Sequence, residues 1–588
     1  MKNEKFPCKL FCIISSLVCL VLIGGCFSLA SLPMPSNPNN TCSVSSTEIA
    51  GWFRNGVVTL NGEVKPAESD QFSNSPNCDF YKWSSQMFLW LTSPAPSSYG
   101  GTGELVFNSP AFYDVSPKVN GQRVFIPHQT GPSTNLRNMQ VRTSPLGPNG
   151  LPAVINRSTG QLVEIEYPSF SSNGNRLTLN RLNEKVEIDT ILGTGKENLT
   201  FIGTDGKEII SPRAIIRDSL NREATAEKFF INDHTFLLDA GGRLVDNGPG
   251  QAGGSNVLMS QQGSLIYYAI CVNDAYAIFR TGVANLANLT IPSFPALPVI
   301  KFPTNITTNA PLIQYAALKG KTIVEPSALI IEIKTSWVKT SSIPQGDRSG
   351  FITMSAKIPT YDSITNPNQW IPNGDVTASL SMIGMHVVGS VVGHPELLWA
   401  TFEHQSTSPN AAYSYIDLAG NTINVPQINS GNWILCAANS TGPFNVPHIT
   451  VNSSSELENI TPHILGPSNT NRELAWGSDP IQAPNPLASS ALSNSNLIAI
   501  NNSIRNNLAP GDVRANYRQA GTTWTINGNS PTGPFPGSAP FPGNEVGTSR
   551  LASSSMETYV QTTNCFSCHP TNTVQVSRIW DDLLPLFP

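Results

Sequence analysis

The run Cys565-Phe566-Ser567-Cys568-His569, close to the C-terminus, carries the densest chemistry in the chain. Two thiols one helical turn apart face the same side, and a histidine follows at once. This spacing attaches haem c: each thiol forms a thioether to a haem vinyl, and the imidazole becomes the proximal iron ligand. A thioredoxin-like dithiol needs a βαβ context, and only 18 residues follow Pro570. A structural zinc needs four ligands, usually as two separated pairs, and no second Cys-x-x-Cys occurs. The expected cofactor is one covalent haem c on Cys565 and Cys568, with His569 on its iron.

No Met or His follows His569, so a sixth ligand comes from upstream, from water, or is absent. Met556 is the nearest thioether. The richest stretch is Gly384 to His404, which holds His386, His394 and His404. A turn at Gly389-Ser390-Val391 would set His386 opposite His394. In the following strand His404 shares a face with Leu398, Ala400 and Phe402, while Trp399, Thr401 and Glu403 face the other way. His386 and His404 are the distal candidates. The alternative for each is a core histidine held by hydrogen bonds.

These residues have to be exported to meet haem in an oxidising compartment. Lys2, Lys5 and Lys9 precede an apolar run from Phe11 to Ile23, a secretory leader too short for a comfortable membrane span. It ends in Leu22-Ile23-Gly24-Gly25-Cys26, the pattern of a bacterial lipoprotein, with residues 1–25 removed and Cys26 acylated onto the bilayer. Cleavage after Ser28-Leu29-Ala30 is the alternative. Beyond the leader, Cys26 and the haem pair, four cysteines remain: Cys42, Cys78, Cys271 and Cys436. They allow three pairings, and the shortest loops are Cys42–Cys78 and Cys271–Cys436.

The scaffold reads as α+β and predominantly β: a β-sandwich-like body with a few helices and a short helical C-terminal segment. Only 13% of residues are charged and the net charge is −5, so no basic tract argues for nucleic acid. Residues 26–46 are a tether. Phe80, Trp83, Met87 and Trp90 have the spacing of a buried helix. Short runs rich in Val, Ile and Thr divide 47–254 and 255–526 into two β-rich regions. In the second, strands are expected at Leu265–Ile270, Ala275–Arg280, Leu329–Val338, Ala378–Val392 and Leu397–His404, a helix at 484–508 and a strand at Asn516–Ile526. Pro and Gly crowd 527–548, a linker. Residues 549–588, with Ser553 to Thr562 helix-like, are too few to build a core of their own, so the attachment segment has to dock on the body.

The runs Ile331 to Trp337, Gly384-Met385-His386, Trp399 to His404 and Ser555 to Val560, ahead of the Cys-x-x-Cys-His motif, resemble a group of exported bacterial cytochrome-c-like proteins of unassigned activity. The resemblance covers about residues 320 to 570. It implies haem at Cys565, Cys568 and His569 and draws attention to His386 and His404; the stretch Ser390 to Pro395 departs from it. It implies no substrate and no particular redox partner. The function expected is an exported c-type cytochrome that transfers electrons. The alternatives are a haem-dependent oxidoreductase, peroxidase- or oxygenase-like, and a β-rich binding module with an accessory haem.

Overall fold

A computed structural model describes residues 28–39, 42–73, 77–101, 103–116, 122–128, 256–285, 301–428, 430–451, 456–460, 463–476, 486–531, 545–548, 551, 553–559, 561, 565–569, 576–577 and 579–587, together with short backbone strands between 137 and 245. The leader and Cys26 lie outside the described residues. The protein is α+β and mostly β.

Helix α1 (Ser46–Trp52) starts where the Ser45 side chain accepts from the Glu48 N–H, an N-cap. Helix α2 (Asn77–Leu91) buries Phe80, Trp83, Met87 and Trp90, as their spacing requires. Cys78 in its first turn is disulfide-bonded to Cys42, and a closed loop of this kind contributes ~2–4 kcal/mol. The second expected pair does not form. Cys271 lies in the main core with its thiol toward the Phe107 carbonyl, whereas Cys436 packs with Leu32 and Trp433 and donates to Asn469.

Strands β1 (Phe112–Val115), β2 (Phe125–Pro127) and β3 (Tyr267–Asn273) come next in the sheet. The segment expected as a strand at Ala275–Arg280 is instead part of helix α3 (Asp274–Ala284). The Asn273 side chain caps it by accepting from the Tyr276 N–H, and Asp274 sits in its first turn. A cap at the strand's end and near-continuous burial decide what an apolar run leaves open. Helix α4 (Ile306–Leu318) packs beside α3. Strands β4 (Ile331–Lys339), β5 (Thr353–Asp362), β6 (Gln369–Val391) and β7 (His394–His404), helix α5 (Pro486–Asn507) and strands β8 (Tyr517–Thr525) and β9 (Glu545–Gly547) complete the body.

Eight of these strands lie side by side, all antiparallel, in the order β9-β8-β7-β6-β4-β3-β1-β2. Strand β6 is the hub: β4 runs along one edge and β5, then β7, along the other. Because β1 pairs with β3, the sheet runs across the boundary expected at residue 254. Strand β9, at the end of the Pro/Gly-rich stretch 527–548, pairs with β8.

The β6–β7 turn also differs from expectation. Val391 pairs with His394 across Val392-Gly393, and His386 lies opposite Thr401 rather than His394. Gly393 has φ 79°, the left-handed region that glycine enters without strain, so the chain reverses there and not at Gly389-Ser390-Val391.

Among the described residues the two faces of the sheet are covered mainly by helices and by C-terminal residues. One face (Ile331, Ile333, Trp337, Met385, Val387, Leu398, Ala400, Phe402) packs on α2 and α5. The other (Val272, Val388, Trp399) packs on α3, α4 and C-terminal residues Phe566, Val576, Ile579, Trp580 and Leu583. No helix among the described residues is long and apolar enough to cross a membrane.

Candidate functional site

Alternation along β7 places Trp399, Thr401 and Glu403 on the face that the C-terminal chain covers. The contacts run in order. Thr401 Oγ1 donates to the Leu551 carbonyl at 3.1 Å. Ser553 and Ser554 hydroxyls donate to Glu403 Oε1 at 2.8 and 2.9 Å. Tyr268 donates to the Ser555 carbonyl at 2.7 Å, and Ser555 and Ser336 share a hydrogen bond at 2.8 Å. Glu403 is itself fully buried and ion-paired with fully buried Arg472. The residues 553–559 form turns rather than the expected helix. Met556 is buried among Tyr268, Val338 and Ile383, an apolar anchor for those turns.

The segment then makes one helical turn, α6 (Cys565–Cys568), closed by the His569 N–H donating to the Cys565 carbonyl at 2.9 Å. The His569 ring lies 4.4 Å, centroid to centroid, from the indole of Trp399, with Phe566 on the indole's other approach at 6.4 Å. His569 Nδ1 is 2.7 Å from the Val576 carbonyl. A carbonyl only accepts, so Nδ1 donates the proton in this bond. That is how an outer hydrogen bond fixes the tautomer and orientation of an iron-ligating histidine.

Cys565 is half-buried against the cluster of Phe566, Trp399, Val576, Ile579 and Trp580. The Trp399 indole N–H is buried without a hydrogen-bond partner among the described residues, a donor of the kind a haem carboxylate takes. The Cys565 side chain, an oriented imidazole and an apolar, aromatic wall come together at this turn.

The upstream histidines do not converge. His404 is on the opposite face of the sheet, the face of Phe402, beside Phe351 and Tyr517. Its Nε2 is 3.2 Å from the Gly350 carbonyl, its Nδ1 accepts from the Ser406 N–H at 3.2 Å, and its ring stacks on Phe351 at 3.7 Å. The odd–even register that gives Trp399 to the terminal segment turns His404 to the other face. His394 is buried with Glu396, 2.8 Å from Nδ1, and edge-on to Phe80. His386 shares the Trp399 face but is held at both nitrogens. Nδ1 is 2.8 Å from Thr401 Oγ1, and Nε2 is 3.0 Å from both Glu557 oxygens. Lys334 Nζ also approaches Glu557, at 3.4 Å. Among the described residues no group of three or more His, Cys, Asp or Glu side chains is placed to hold a metal ion.

Sequence reading missed Glu557, Trp399, Glu403 and Arg472 as the residues that seat the segment. One signal was available, since Glu557 is the sole acidic residue between Glu545 and Asp581. Burial would raise its pKa, but His386 and Lys334 outweigh it and hold it at about 2. Burial lowers His404 to about 3. Both folded values lie below the unfolded ones, so both groups contribute stability at neutral pH that is lost as pH falls toward about 2 to 3. Asp274 and Glu332 behave oppositely. Burial raises each to about 7, so their contribution is full at low pH and lost as pH rises through about 7. Thermal melts against pH are expected to peak at mildly acidic pH and fall on both sides. Glu332→Gln is expected to flatten the alkaline limb and leave the acid limb intact; an unchanged alkaline limb would refute the assignment.

Comparison with protein-family models, with curated proteins and with solved structures finds no match to this chain.

Proposed function

We propose that the chain is an exported c-type cytochrome-like protein that carries single electrons on one covalent haem. Cys565 and Cys568 hold the macrocycle, His569 holds the iron, and Cys26 anchors the mature protein to a bilayer as a lipoprotein. The observation that supports this most is the Nδ1 hydrogen bond from His569 to the Val576 carbonyl on a wall of aromatic rings. It orients the imidazole of the residue that the attachment motif assigns to iron. When bound, the haem supplies a one-electron couple. The chain's own residues attach it, orient the imidazole and shield one side from water.

The chain with its leader, expressed in a bacterium that matures c-type cytochromes, is expected to give a haem that acidified acetone does not extract. Cys565→Ala with Cys568→Ala is expected to lose it. The same preparation is expected to show a diacylated Cys26 as its N-terminal residue by mass spectrometry. Haem extractable from the unmodified protein would overturn the attachment reading, and an unlipidated N-terminus at Ser31 would overturn the anchor.

One observation favours the second reading, a haem-dependent oxidoreductase. His404 faces away from the segment and His386 is engaged at both nitrogens, so neither is poised as a sixth ligand. Carbon monoxide separates the two readings. A low-spin protein inert to it supports a carrier, and a high-spin protein that binds it in the reduced state supports the enzyme.

A further inference from the structure

Glu332 lies on β4, on the face covered by the C-terminal segment, and its two cross-strand neighbours are apolar: Val272 on β3 and Val388 on β6. Its Oε2 accepts from the Ser577 hydroxyl at 2.6 Å. The Ser577 hydroxyl is in turn 2.7 Å from the Tyr276 hydroxyl of α3, which donates to it because the serine proton is already given to Glu332. The residue before Ser577 is Val576, whose carbonyl fixes His569. One hydrogen bond and one peptide unit thus separate a half-buried carboxyl from the acceptor that orients the assigned iron ligand.

We propose that Glu332 takes up one proton when the haem is reduced, so that an electron and a proton move together. This rests on the haem reading above. In the balanced step a one-electron donor reduces ferric to ferrous haem, one proton from solvent adds to the Glu332 carboxylate, and the local charge is unchanged. Without the proton, the added electron would meet a half-buried carboxylate across a medium of lower dielectric than water, where like charges repel more strongly.

The charged groups that face Glu332 leave it poised for this exchange. Burial raises its pKa, while the Ser577 hydrogen bond, Arg123 ahead of β2 and Lys334 two residues along the same face lower it, with a balance at about 7. From α3 the facing titratable group is Tyr276, held neutral by burial. Lys334 is 24% exposed and joins Glu557 and His386, so this polar row on the sheet face reaches solvent beside the half-buried carboxyl.

Spectroelectrochemical titration of the full haem-loaded protein between about pH 5 and about pH 9 tests this. The midpoint potential is expected to fall as pH rises through neutrality, by up to ~59 mV for each tenfold drop in proton activity. In Glu332→Gln the potential is expected to be flat through neutrality with the haem spectrum retained. The infrared difference spectrum of the unmodified protein provides a measurement that needs no variant: reduction is expected to produce a carboxylic-acid carbonyl band that shifts in heavy water. A flat potential in the unmodified protein, an undiminished slope in Glu332→Gln, or no such band overturns the proposal and leaves the haem reading standing. Absence of covalent haem in the starting protein overturns the haem reading itself, and this inference with it.

Discussion

Arg472→Met is expected to lower folding stability by ~3–5 kcal/mol, because it leaves the Glu403 carboxylate buried without its counter-charge. Both members of the ion pair are fully buried. Arg472 also donates to Asn410 Oδ1 at 2.6 Å, an oxygen that it shares with Arg518 at 2.8 Å. On the other side Glu403 receives the hydroxyls of Ser553 and Ser554. The pair therefore links the sheet, the stretch around Asn471 and the start of the terminal segment. Amide hydrogen exchange across Ser553 to Gln561 is expected to speed up together with the drop in the urea midpoint. The double variant Glu403→Gln, Arg472→Met removes both charges and is expected to recover much of the loss. A single variant within ~0.5 kcal/mol of the unmodified protein, the range of ordinary surface changes, would sink this account.

Trp399→Ala is expected to cost a similar ~3–5 kcal/mol, the usual range for emptying a buried tryptophan site. Its ring is the floor on which His569 and Phe566 rest. Removing it opens a cavity beneath α6, so limited proteolysis is expected to cleave near residue 565 well before the body unfolds. Trp399→Phe keeps most of the packing and removes the unpartnered N–H, so it is expected to cost far less. Equal losses in the two variants would mean that ring packing does not seat the segment, and the packing role would have to be abandoned.

Much of the local structure was legible in the residues. The spacing of Phe80, Trp83, Met87 and Trp90 marks a buried helix because a 3.6-residue period puts them on one stripe. The alternation from Leu397 to His404 shows which side chains share a face, and the observed strand keeps it. The strand at Tyr517–Thr525 and the helix at Pro486–Asn507 follow the expected positions closely. The segment at Asp274–Ala284 was misread because an apolar run of that length has no decisive period, and its Asn273 cap acts only once the preceding strand is paired. The β6–β7 register was misplaced by the choice of turn residues, and a shift in register changes every cross-strand partner.

The sequence by itself determined that two thiols and an imidazole share one turn, that His404 and Trp399 point to opposite sides of one strand, and that 40 residues at the C-terminus need a surface to lie on. Only the tertiary structure decided which side of the sheet that surface is. Alternation is a local property of the backbone, while the choice of face depends on long-range pairing and on what the other side already buries. Helices α2 and α5 fill the His404 face with apolar side chains, so the terminal segment is left with the face that offers Trp399, Glu403 and Glu332.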